Sequence, residues 1–95
     1  MDIVVSSNTV TIAGNIKSVS DFQHLKSTLD KVTSEYNNIT LNITDSISIT
    51  SSVIGYLNKL ILKDGINIQM HIGNSQLMEL LHELSLDSVF KARKV

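Results

Sequence analysis

The chain has 95 residues, enough for one hydrophobic core and too few for two. Its formal charge of -1, with two Phe, two Tyr and no Trp, provides neither the basic field nor the stacking platform of a nucleic-acid binder. Without cysteine, it can form no disulfide, thiolate metal site or thiol nucleophile.

"DIVVSSNTVTI" follows Met1 directly, with no basic and apolar leader, and no apolar run approaches a membrane span. A cytoplasmic chain that inserts in no membrane is the expectation. Ile3 and Val5, then Val10 and Ile12, flank Ser6-Ser7-Asn8 and predict an antiparallel hairpin. The period then changes. Val19, Phe22, Leu25, Leu29, Val32 and Tyr36 recur at steps of three and four, predicting an amphipathic helix with Ser20 and Gln23 as its capping box. Ile39, Leu41 and Ile43 alternate with Thr40, Asn42 and Thr44 as a strand.

Ile54, Leu57, Leu60 and Ile61 predict the inward stripe of a second helix that begins near Ser52 and stops at Asp64-Gly65. "INIQMHI" predicts another strand. A third helix follows, with Leu77, Leu80, Leu81 and Leu84 facing inward. "SVFKARKV" closes the chain as a weak edge strand or an irregular tail.

The order β-β-α-β-α-β-α implies an α/β fold whose strands pair in parallel through right-handed crossovers after the hairpin. A parallel sheet covered on both faces has continuously apolar strands. Here Asn42, Asn67, Gln69 and His71 fall opposite the core residues, which predicts one bare sheet face and three helices on the other. The expected domain spans residues 1–95, with a single mixed, mostly parallel sheet of four or five sequential strands.

Catalytic motifs are missing. The glycines at 14, 55, 65 and 73 are scattered, so there is no phosphate loop, and neither a nucleophile elbow nor a zinc helix is present. His24, His71 and His82 are unpaired in sequence and predict no metal site. Asp45 leaves a strand and enters a loop, where an Asx turn is its simplest role. No enzyme and no cofactor are expected.

"TDSISITSSV" remains. Thr50, Ser51 and Ser52 stand where a helix begins, one hydroxyl being enough to cap it. With "ITLNI" before and "VIGYLNKLILKDGI" after, the loop and the element order resemble the STAS family of sulfate-transporter and anti-sigma-antagonist domains. That resemblance covers nearly all of the chain. In phosphorylatable members the loop reads Asp-Ser-Ser-Gly or Asp-Thr-Ala-Gly. The resemblance therefore implies Thr50 at the Asp, Ser51 at the phosphoacceptor, Ser52 next and Val53 at the Gly, with Gly55 matching a second family glycine. A divergent branch reading Asn-Thr-Ser-Ser instead implies Thr50 as acceptor. Phosphorylation candidates are thus Ser51, Thr50 and Ser52. The implied partner-binding set is Asp45, Ser48, Thr50, Ser51, Ser52, Val53 and Tyr56.

The implied function is a monomeric or weakly dimeric partner-switching regulator. Its partners would be a kinase-type anti-sigma or switch protein and a phosphatase. The alternatives are an accessory subunit of an ABC-type lipid transport system, independent of phosphorylation, or a scaffold of a regulatory assembly.

Overall fold

A computed structural model describes residues 1–95. The hairpin pairs β1 (Asp2–Ser6) with β2 (Thr9–Ala13) in antiparallel register, Val4 opposite Thr11. Its two-residue turn puts Ser7 at φ 53°, the positive value that lets a tight turn follow the right-handed twist of the strands. Then come α1 (Val19–Thr33), β3 (Asn38–Ile43), α2 (Ser51–Leu62), β4 (Asn67–Ile72), α3 (Ser75–Glu83) and β5 (Ala92–Lys94). The strands lie in the order β1-β2-β3-β4-β5, and every pair after the hairpin is parallel. Sequential order is the consequence of crossovers that all stay on one side of the sheet, as the alternating strands predict.

Burial follows that alternation. Val10, Ile12, Ile39, Leu41, Ile43, Ile68, Met70 and Ile72 join Leu25, Leu29, Leu57, Leu60, Leu77 and Leu81 in one core of 21 buried residues. On the other face the register aligns Val4, Thr11, Asn42, His71 and Arg93 across all five strands. Asn42 Nδ2 donates to Thr11 Oγ1 at 3.3 Å, and His71 Nδ1 lies 3.1 Å from Asn42 Oδ1. An amide oxygen only accepts, so this ring nitrogen carries its hydrogen. The bare face is bound by side-chain bonds as well as by its backbone.

Several local expectations are corrected. The capping box of α1 is Ser18 with Asp21, not Ser20 with Gln23: Ser18 Oγ accepts from the Asp21 N–H at 3.0 Å, and the Asp21 carboxylate accepts from the Ser18 N–H in return. Val19 is consequently the first helical residue and 76% exposed. The helix also stops before Tyr36. Thr33 Oγ1 and Ser34 Oγ donate to the Leu29 and Lys31 carbonyls, which is the competition with backbone that hydroxyls offer, and Tyr36 emerges exposed. Leu84 is the C-cap of α3 and half-exposed, not inward. The closing segment is an edge strand preceded by Phe90, which is fully buried.

Candidate functional site

The loops that leave β2 and β3 run side by side at the same end of the sheet, and side chains fasten them together. Asp45 Oδ1 accepts from the Gly14 N–H at 2.7 Å and from the Thr44 hydroxyl at 3.1 Å. Asn15 Oδ1 accepts from the Ser46 hydroxyl and the Ile47 N–H, and Ser46, 1% exposed, also donates to the Ser48 carbonyl. Asp45 is therefore a brace between loops and not the local Asx turn that sequence suggests. Its bond from the Gly14 amide holds its carboxyl below the ordinary value of 3.8.

A depressed folded pKa contributes stability that is present above the unfolded value and lost as pH falls through the folded one. Asp45→Asn is expected to flatten part of the acid limb, so that denaturant midpoints at about pH 6 and about pH 2 differ less than in the wild type. Asp21, Asp30 and Asp87 are depressed too and will retain the rest of that limb.

From this braced loop the chain enters α2. Thr50 is the N-cap, its Oγ1 accepting from the Val53 N–H at 3.3 Å, while the Thr50 carbonyl takes the Ile54 N–H. Ser51 and Ser52 are the first helical residues and are exposed. Neither hydroxyl nor either N–H makes a hydrogen bond. The hydroxyls therefore divide: Thr50 caps, Ser46 braces, and Ser51 and Ser52 have no structural task. Thr50→Ala is expected to cost about 1 kcal/mol in equilibrium urea unfolding, whereas Ser51→Ala and Ser52→Ala stay within about 0.5 kcal/mol of wild type.

The start of α2 itself carries no opposing charge. No acidic residue lies in the first turn of α2, so its positive end is uncompensated. A shallow cleft of about 380 Å³ runs between the starts of α1 and α2, with Lys17, Val19, Phe22, Thr50 and Ser52 on its walls. On the other side of the loop, Ile47 and Ser48 border a groove shared with Glu79, Leu80 and Glu83 of α3. Val19 at 76% and Ile47 at 47% exposure set apolar side chains beside the hydroxyls. The largest concavity lies elsewhere, between α3 and the chain end, and has one apolar residue on its wall, Met78.

Of the residues assigned to partner binding, Asp45, Ser48, Thr50, Ser51 and Ser52 are exposed. Val53 and Tyr56 are corrected: they are 1% and 6% exposed and belong to the core stripe of α2 with Leu57 and Leu60, while Ile54 and Ile61 are only partly buried. Tyr56 crosses to α1 instead, where its hydroxyl donates to Asp30 Oδ1 at 2.5 Å and its ring meets Phe22 edge-on. Burial and the Asp30 carboxylate push the Tyr56 phenol far above its usual range, so it stays protonated. The outward face of α2 consists of Ser51, Ser52, Gly55, Lys59 and Leu62, the last three unassigned by the partner-binding expectation. Gly55 has nothing within 4 Å of where a Cβ would stand, so packing does not require a glycine there.

Comparison with protein-family models and with curated proteins finds no match for this chain.

Proposed function

We propose that this chain is a partner-switching regulator of the STAS type, resembling an anti-sigma factor antagonist, whose switch is phosphorylation of Ser51. The observation that supports this most strongly is the division of labour at the start of α2: the cap is satisfied by Thr50, and Ser51 and Ser52 stand free on a loop already braced by Asp45 and Asn15. In the unmodified state the outward face of α2 and the flanking Val19 and Ile47 would dock on a cytoplasmic kinase-type anti-sigma or switch protein. That partner supplies ATP and the transferase activity; this domain is its substrate and not an enzyme. A phosphatase would reverse the step.

A phosphate brings roughly -1.5 to -2 charges and three acceptor oxygens. Helix N-termini accept anions through their free N–H groups, and here Ser51 and Ser52 both have one. The fold can therefore hold the modification while the docking surface changes sign. Thr50 occupies the family's usual Asp position, so Ser51 lacks the acidic neighbour of phosphorylatable relatives, a departure that counts toward the second reading below.

A second reading has its own support. The buried Val53 stands where phosphorylatable relatives have glycine, and the open Gly55 helix face would serve an unmodified accessory subunit docking on the ATPase of a lipid transporter. Incubation with a kinase-type partner encoded beside this chain, plus ATP, separates the two. One added phosphate by intact mass, lost in Ser51→Ala, is the expected result; no mass change with a partner that binds the chain would favour the accessory subunit.

A further inference from the structure

The two edges of the sheet differ in kind. β5 is three residues long, carries Arg93 and Lys94 on exposed positions and follows exposed Lys91, the guard that edge strands commonly use against pairing. β1 has five residues, Asp-Ile-Val-Val-Ser, with no lysine and no proline, and its register with β2 is unbroken by any bulge. Val4 is 64% and Val5 46% exposed.

The bonding pattern shows which groups on β1 are free. Thr40 and Thr44 donate their N–H groups to the Asn8 and Ile12 carbonyls, so the even-numbered residues of β2 serve β3. The odd-numbered Thr9, Thr11 and Ala13 therefore serve β1, through the opposite residues Ser6, Val4 and Asp2. Ile3 and Val5 are left with both N–H and C=O directed away from the sheet.

We propose that β1 pairs antiparallel with β1 of a second copy about a two-fold axis at Val4, joining two five-stranded sheets into one of ten strands. This occupant fits because the edge is complementary to itself. In that register Ile3 stands opposite Val5 of the second copy, and the two exchange both backbone bonds; the symmetric pair does the same. Val4 meets Val4 across a non-hydrogen-bonded site, where side chains come closest. Asp2 stands opposite the Ser6 hydroxyl of the second copy, and the two Asp2 carboxylates lie at opposite ends of the ribbon. Inside, Ile3 beside Ile12 and Val5 beside Val10 extend the apolar face from one sheet to the next. With a net charge of -1, long-range repulsion between copies is slight. The contact is isologous and the basic β5 edges stay unpaired, so assembly closes at a dimer. The inference is independent of the loop before α2.

Sedimentation equilibrium from micromolar to millimolar protein tests it. The wild type is expected to show a monomer–dimer equilibrium. Val4→Lys, which sets two ammonium groups face to face, is expected to weaken it about tenfold or more. Val5→Pro removes the outward N–H and no bond to β2, and it also fixes φ and trims the side chain beside Val10, so it should weaken the dimer at a modest cost in thermal midpoint. A single cysteine introduced as Val4→Cys falls at a Cα separation of about 4.5 Å in the proposed pairing, within disulfide range, and should give a covalent dimer on mild oxidation. Ser27→Cys, exposed on α1, should not. A wild type that stays monomeric at every concentration, or Val4→Cys giving no more covalent dimer than Ser27→Cys, would overturn the proposal.

Discussion

Replacing Gly73 with alanine is expected to destabilise the domain by about 3 kcal/mol, the upper part of the range for forcing atoms into a packed site. The Gly73 N–H donates to the Ile43 carbonyl at 2.8 Å, which draws the end of β4 onto the end of β3. An added Cβ would sit 2.0 Å from the Thr44 carbonyl oxygen and 2.9 Å from its carbon. Those are backbone atoms and cannot rotate away. Relief would require separating β4 from β3 at the point where the Thr44–Asp45 brace begins, so the loop before α2 would be disturbed with the sheet. A loss of this size in a domain near 95 residues lowers the thermal midpoint by roughly 15 °C. Gly55→Ala is the internal control. No atom lies within 4 Å of its Cβ, and alanine in a helix interior is favoured over glycine by up to about 1 kcal/mol, so a small rise in midpoint is expected. Calorimetry of the two variants beside the wild type checks both; equal effects would show that the close approach at Gly73 is not rigid.

The second large effect concerns binding. On the proposed function, phosphate on Ser51 is expected to weaken association with the kinase-type partner several-hundred-fold, corresponding to about 3 to 4 kcal/mol. The cost arises at the interface, from desolvating an anion where an uncharged hydroxyl, with exposed Val19 and Ile47, had met the partner. Within the isolated domain the same phosphate meets an uncompensated helix N-terminus, so its stability should change little. Titration calorimetry with phosphorylated and unmodified protein measures the first quantity and thermal unfolding the second. A phosphate that unfolded the domain would assign the loss of binding to the fold instead of the surface.

Much of the architecture is legible because one sheet face is bare. Thr40, Asn42, Gln69 and His71 alternate with core residues because they are partly or fully exposed on the face away from the core, and that alternation marks both the strands and the side on which the crossovers run. Helix limits are less legible for a local reason. "SVSDFQ" contains two overlapping capping patterns, and Ser18 with Asp21 prevails through a carboxylate at the third helical position, where Gln23 would have supplied an uncharged amide. The inward stripe of α2 is offset in the same way. Ile54, Leu57, Leu60 and Ile61 have a plausible helical spacing, yet Val53 and Tyr56 complete it better, because the Tyr56 hydroxyl can reach Asp30 from inside. The Gly14–Asp45 and Asn15–Ser46 bonds join residues 31 apart, and no short-range pattern in the chain encodes them. Likewise, the free hydroxyls of Ser51 and Ser52 could be told from the capping one only after Thr50 was seen to bond Val53.

On the proposed function, the hydroxyls opening α2 carry a signal beyond capping the helix. Trypsin leaves residues 32–59 as one peptide, between Lys31 and Lys59, which contains every hydroxyl of the loop. Fragment-ion mapping of that peptide, from protein isolated from its own cells before and after phosphatase treatment, is the direct measurement. A phosphatase-sensitive phosphate on Ser51 is the expected result; a peptide that carries no phosphate in any growth condition, while the chain is recovered bound to its kinase-type partner, would rule this switch out.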